Sequence, residues 1–240
     1  MELYVSFKVR DLTLPLAYNY YVQGMIYNLL RSDIEFSTFL HDRGIEEQGK
    51  HFKHFTFGQL RGNSLIRDKQ IMFKDYFTLE IRSSIDKMIL TLQQELTHGR
   101  QLLLHGQPIF VDKCTVFDRQ VQGSEVLIHT LSPICVHTTL DDGHTIYYTP
   151  RDNEFYDGII ANAMKKYSAS YTDMHDFFLN IAPNPANRFR RIVTRYKNMY
   201  VTAWHGSFVL RGADYILKLL YDTGIGTRNS QGFGMFEIDN

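Results

Sequence analysis

The chain has 240 residues, of which 44% are hydrophobic and 22% charged, with 17 Phe and 15 Tyr. That balance excludes an intrinsically disordered chain, and the length fits one large domain or two of about 120 residues each. Twenty-six Lys and Arg offset 26 Asp and Glu, which excludes a basic coat over the whole surface, and no apolar run approaches the roughly 18 residues of a membrane-spanning helix.

In chain order, "LYVSFKVR" alternates apolar and polar residues and predicts a first strand. Leu14-Pro15 punctuates it, and the spacing of Val22, Met25, Ile26 and Leu29 predicts a helix over residues 18–32. At about 100° per residue, Tyr20, Gly24 and Tyr27 project from the opposite side, and an exposed face of Tyr, Gly and Tyr is unusual. "KHFTFGQLRG" and "QIMFKDYFTLEIRS" read as two strands rich in aromatic and β-branched residues. Ser83 or Ser84 can cap the next helix, whose Ile85, Met88, Ile89, Leu92 and Leu96 keep helical spacing, with Gly99 as its terminator. "PIFVDKCTVFD" completes a β-α-β-β-α-β series, the pattern of a ferredoxin-like unit with two helices on one face of an antiparallel sheet.

The series then repeats. "SEVLIHTLSPICVHTT" reads as strand, "NEFYDGIIANAMKKYSAS" as helix, "FRRIVTRYK" and "MYVTAWHGSFVLRG" as strands, "ADYILKLLYDTG" as helix and "GFGMFEI" as strand. The expected fold class is therefore α+β, two tandem ferredoxin-like domains with antiparallel sheets, over residues 1–121 and 122–240. Met1 leads directly into the first strand without a basic or apolar leader, so a cytoplasmic location is expected. Cys114 and Cys135 lie far apart without a C-x-x-C, suggesting neither a disulfide nor zinc but core thiols.

Charge is unevenly spread. Between Asp176 and Asp214 there is no acid, while Arg188, Arg190, Arg191, Arg195, Lys197 and Arg211 all fall there. The stripe reads either as a surface for a polyanion or as a solvated strand face whose charges pair elsewhere.

The other singular segment is "GIGTRNSQGFGMFEI", with Gly224, Gly226, Gly232 and Gly234 around Arg228. A Walker A loop fails, because no Lys and Ser/Thr follow the glycines and the order is helix, loop, strand; a dinucleotide loop fails because Asn229 stands where a third Gly is needed. Nucleotide cofactors are disfavoured and no cofactor is expected. Helix termination at Gly224 or Gly226 and a bulge at Gly232 and Gly234 account for part of the pattern. The rest suits a flat backbone surface against a nucleic-acid backbone, with Arg228, Asn229 and Ser230 adding donors.

A helix followed by this loop and a last strand resembles the RAMP superfamily of CRISPR-associated proteins. "LTLPLAYNYYVQGMIYNLL", "FLHDRG", "KHFTFGQL", "LSPI" and "TAWHGSFVLRG", in that order over nearly the whole chain, narrow the resemblance to the endoribonuclease that cuts CRISPR repeat RNA into guide units. The resemblance implies three catalytic side chains: Tyr27 on the first helix, His41 just after it and Lys53 near the next strand. It also implies repeat RNA as partner, held by the stripe Arg188, Arg190, Arg191, Arg195 and Lys197 together with Gly224, Gly226, Arg228, Asn229, Ser230 and Gly232 in one positive cleft. Subunits of a CRISPR effector complex and a second copy of the chain are the further partners it suggests. Glu46 and Glu47 depart from the family, whose members often carry basic residues in that loop.

By the same analogy His41 is general acid to the leaving 5′-oxygen, Tyr27 activates or positions the 2′-hydroxyl, and Lys53 stabilises the phosphorane. A free Tyr titrates near 10 and His near 6.5, so His41 can equally serve as the base. His51 and His54 are the next candidates for proton transfer. An internal 2′-hydroxyl nucleophile makes a metal unnecessary, and no His/Asp/Glu set has metal-ligand spacing. Two alternatives stay open: a non-catalytic RNA-binding subunit of an effector complex, and an unrelated ferredoxin-like metabolite-binding protein.

Overall fold

The computed structural model describes residues 1–31, 45–47, 50–99, 101–171, 177–186 and 188–239, without the side chains of 45–47 and 50–52. Alternation decides the first sheet. In β1 (Glu2–Lys8), Leu3, Val5 and Phe7 turn into the core. Beside it run β2 (Phe55–Phe57), β3 (Tyr76–Ser83), β4 (Leu102–Leu104) and β5 (Gln107–Phe117), all antiparallel, in the order β2-β3-β1-β5-β4. Val5 stands opposite Leu79 on one side and Cys114 on the other.

Two helices cover one face of this sheet. In α1 (Asn19–Leu30) the predicted stripe of Val22, Met25, Ile26 and Leu29 is buried, joined by Leu30. In α2 (Asp86–Thr97) Met88, Ile89, Leu92 and Leu96 are buried, and Gly99 follows at φ 71°. Each such side chain contributes about 1.5–3 kcal/mol relative to exposure. Ser83 does not cap α2 in the expected way: its hydroxyl accepts the Ile85 amide at 3.0 Å and donates to the His54 carbonyl at 2.8 Å, tying the strand end to the helix start.

The second unit repeats the plan with β6 (Glu125–Thr130), α3 (Asn153–Ser170), β7 (Leu179–Pro183), β8 (Ser207–Gly212), α4 (Asp214–Thr223) and β9 (Phe236–Ile238), in the order β7-β8-β6-β9. Apart from the extra edge strand β4 of the first sheet, the order is the same, with β5 standing beside β1 as β9 stands beside β6, and the two sheets form tandem ferredoxin-like folds. The helix spans match the sequence pattern closely.

Several strands do not. "FRRIVTRYK" is not a sheet strand: Arg190–Tyr196 pairs with Met199–His205 as a separate two-stranded ribbon, and the sheet position is filled by Leu179–Pro183, for which no strand was expected. "MYVTAWHGSFVLRG" breaks at Gly206, its first half entering that ribbon and its second half becoming β8. "SEVLIHTLSPICVHTT" is likewise two strands, β6 and His137–Thr139, which pairs with Thr145–Tyr147. In the first unit a hairpin of Ser64–Arg67 and Gln70–Phe73, continued by Leu12–Pro15, is inserted between β2 and β3. Each of these segments is β-rich, and local preference leaves the choice of partner open.

A buried ion network joins the units. Arg82 is 0% exposed; it donates to Glu80 Oε1 at 2.6 Å and, across the seam, to the Phe236 carbonyl at 2.6 Å and Glu237 Oε2 at 3.0 Å, while its guanidinium lies 3.7 Å over the Tyr221 ring. Burial opposes its charge, and Glu80, Tyr221, Glu237 and Glu2 more than offset that, so its pKa is raised. Cys135 is a buried free thiol and Cys114 a partly buried one.

Candidate active site

The face of α1 turned away from the core forms one wall of a cleft of about 850 Å³. Tyr20, Gly24 and Tyr27 line it from α1, Lys53 from the segment just before β2, His105 from the turn between β4 and β5, and Lys197, Ser230 and Gln231 from the second unit. Tyr27 and Lys53 are thus brought to one cavity. His41 lies outside the described residues.

Tyr27 is half-buried, with its ring edge-on to Phe55 at 6.0 Å. Burial, with Tyr196 nearby, pushes its hydroxyl up to about 12. At neutral pH it is a phenol that donates a hydrogen bond, and it is a poor proton acceptor. Lys53 faces both this cleft and a second cavity of about 410 Å³ at the seam, lined also by His54, Lys166 and Arg228. His54 is only 3% exposed, and burial together with Lys166 pushes its imidazole down to about 4. It is neutral at pH 7 and hydrogen-bonded to Ser84 Oγ at 3.0 Å, which removes it as an acid near neutrality. The segment holding Glu46 and Glu47, read from the sequence as a loop, is a strand pair, Ile45–Glu47 with Lys50–Phe52.

The glycine loop is held from inside the protein. All four glycines have positive φ, and a Cβ at Gly224 would sit 2.8 Å from Asn229, at Gly226 2.6 Å from the Cys135 carbonyl, at Gly232 2.5 Å from Phe57 and at Gly234 1.9 Å from the Ile225 carbonyl. The glycines are buried, so the expected flat outer surface is replaced by a packed turn. Asn229 is also buried; its amide donates to the Ile225 and Phe233 carbonyls, both at 3.0 Å, and its carbonyl accepts from Lys166 at 2.6 Å. Lys166 reaches the Thr223 and Gly224 carbonyls as well, at 3.2 and 2.8 Å. The partly exposed tip, Thr227, Arg228, Ser230 and Gln231, is what the loop offers outward.

That tip is keyed to α1. Asn19 Nδ2 donates to the Gln231 carbonyl at 2.8 Å, and Gln23 Nε2 donates to the Ser230 carbonyl at 2.6 Å while accepting from the Tyr196 hydroxyl. Sequence reasoning missed Asn19, Gln23 and Lys166. Lys166 had a signal, since it occupies an apolar position of the α3 stripe of Phe155, Ile159 and Ala163; Asn19 and Gln23 had none.

The basic stripe does not stay together. Lys197, at the ribbon's turn with φ 52°, enters the cleft with its ammonium 5.5 Å from the Tyr20 ring centre. Arg191 and Arg195 are exposed on the ribbon, Arg190 acts on His205, and Arg188 lines a different cavity with Arg151 and Trp204. Arg211 pairs with Glu125. Among the described residues no three His, Cys, Asp or Glu side chains gather as a metal site, and no helix is long and apolar enough to cross a membrane.

Comparison with known proteins gives a consistent set of similarities. Residues 117–238 match the family model described as CRISPR associated protein Cas6, C-terminal. A CRISPR-associated endoribonuclease Cas6 from Pyrococcus furiosus is 28% identical over 240 aligned residues, covering 97% of this chain and 86% of the relative. Among solved structures, a CRISPR associated protein Cas6 superposes with a TM-score of 0.81 at 26% identity, covering 100% of this chain and 99% of the other. A RAMP protein described as binding different RNA substrates superposes with a TM-score of 0.85 at 22% identity, covering 100% of both chains.

Proposed function

This chain belongs to the CRISPR-associated Cas6 family, and from that premise we propose that it is an endoribonuclease that binds CRISPR repeat RNA and cuts the precursor transcript into guide units. The observation that carries the reading is the cleft: it puts Tyr27 and Lys53 of one domain against Lys197 and the loop tip of the other, a cationic groove with a phenol at its wall.

The reaction is attack of the 2′-hydroxyl on the adjacent phosphorus, giving a 2′,3′-cyclic phosphate and a 5′-hydroxyl end, with no metal required. Lys53 offsets the charge that accumulates on the phosphorane. Tyr27, kept protonated by burial, donates a hydrogen bond to the 2′-hydroxyl or a phosphate oxygen and positions it. His41 gives a proton to the departing 5′-oxygen, while the proton of the attacking 2′-hydroxyl leaves to a water molecule or, in the alternative assignment, to His41 itself, whose free pKa near 6.5 suits either role. Lys197 and Arg228 hold flanking phosphates, and affinity falls with salt because binding releases condensed counterions, a release less favourable at higher salt.

The test is cleavage of labelled repeat RNA in EDTA by the wild type and His41→Ala, with binding followed in parallel. Wild type cuts at one position, His41→Ala loses about 100- to 10,000-fold in rate and keeps its affinity, and a 2′-deoxy residue at the cut blocks the reaction. Tight binding without cutting by the wild type would move the chain to the non-catalytic RNA-binding class.

A further inference from the structure

Gly24 is unexplained by the fold. It sits in the middle of α1 with an ordinary helical φ, where glycine is less stable than alanine, and a Cβ built there meets nothing within 4 Å among the described residues. No close approach of backbone and no turn requires it. Its surroundings do differ from those of an ordinary exposed helix position.

Tyr20, Gly24 and Tyr27 are spaced i, i+4 and i+7, so they lie on one strip of the helix with the glycine as a gap between two phenol rings. Tyr20 is 44% exposed and held edge-on by Tyr21 and Tyr196, at 5.7 and 5.8 Å between centres. Its ring is therefore oriented before any ligand arrives. Lys197 lies against Tyr20 and Lys53 faces the same cleft, so the gap opens between two cations.

We propose that the Tyr20–Gly24–Tyr27 strip is the seat of a nucleobase, that of a nucleotide flanking the scissile phosphate. This rests on the RNA-endonuclease reading and adds to it where the base lies. Every base has a flat π-face that an aromatic wall accepts irrespective of identity, and the absent side chain gives the ring its depth. Phosphates on either side reach Lys53 and Lys197. The seat orients the nucleotide for cleavage while contributing no proton transfer.

The experiment compares wild type, Gly24→Ala and Gly24→Leu in thermal melting, repeat-RNA binding and single-turnover cleavage, using intact RNA and a series carrying one abasic nucleotide at each position around the cut. The expected results are a Tm for Gly24→Ala raised by about 2–4 °C, and RNA binding by Gly24→Leu weakened about 5- to 150-fold. One abasic position should weaken wild-type binding by a similar factor and leave Gly24→Leu unchanged, a coupling that a merely structural role would not produce. If folded Gly24→Leu binds and cuts as wild type does, or if no abasic position couples to residue 24, the seat is refuted while the endonuclease reading stands. If the wild type neither binds nor cuts repeat RNA, both fall together.

Discussion

In the loop of residues 224–234 a methyl group added at any glycine strikes protein, and at Gly234 it would lie 1.9 Å from a carbonyl oxygen. In α1 the same methyl at Gly24 enters open space. The first four glycines are accounted for by the fold, through positive φ, buried packing and the Lys166 clamp. The fifth is accounted for by nothing among the described residues. A glycine-rich motif therefore says less about a ligand than one glycine that the fold does not use. The loop's contribution to RNA binding, on the reading proposed above, comes from its tip and from the way it fixes α1 through Asn19 and Gln23.

The contrast can be broken most directly at Gly234. Gly234→Ala should destabilise the protein by about 4 kcal/mol or more, since its φ of 75° and the Ile225 carbonyl both oppose a side chain; urea denaturation reads this without any RNA, and a near-wild-type midpoint would mean that the loop is not the rigid element described. Lys166→Met comes next. It leaves the Thr223 and Gly224 carbonyls and the Asn229 amide oxygen without their donor, at a cost of about 2–4 kcal/mol, and it should slow RNA cleavage only to the extent that the loop tip moves away from α1.

The seam behind the loop should also respond to pH. His54 in the folded protein resists protonation down to about 4, whereas an unfolded histidine takes up its proton near 6.5. The unfolded chain therefore binds the proton first, and stability is lost as pH falls from about 6.5 to 4, by about 3 kcal/mol in total. Denaturation midpoints of wild type and His54→Gln across that range should converge at low pH; parallel curves would remove His54 as the source.

Tyr27→Phe sharpens the other side of the comparison. With the hydroxyl held near 12, loss of a positioning donor should slow cleavage by about 100-fold, and the wild-type rate should not climb between pH 8 and 10. A rate rising tenfold per pH unit there would instead make the tyrosinate a base. The smallest effect is expected at Lys197, where alanine removes one phosphate contact and lowers the salt slope of RNA binding by about 1.

Much of this architecture was legible in the chain. The apolar spacing of Val22, Met25, Ile26 and Leu29 marks α1 and its buried side, and the same arithmetic places Tyr20, Gly24 and Tyr27 on the cleft side. The β-α-β-β-α-β repeat was readable because each helix carries one apolar stripe and each principal strand alternates. The short β7, Leu179–Pro183, is hard to read because it has only five residues and ends in proline, whereas Arg190–Tyr196 is longer, carries the β-branched Ile192, Val193 and Thr194, and pairs elsewhere. Strand propensity is satisfied by any antiparallel partner, so it does not say which one.

The site divided along the same line. Sequence by itself determined the helical face that bears Tyr27, the family pattern and the positive φ expected of a glycine loop, because these depend on spacing and on backbone sterics within a few residues. Tertiary structure alone decided that Lys53 and Lys197 share a cleft while Arg188 does not, that Asn229 is consumed by Lys166, and that burial keeps Tyr27 protonated and His54 neutral. Those outcomes depend on desolvation and on contacts between residues 63 or more positions apart, and neither quantity is written in any local stretch of the chain.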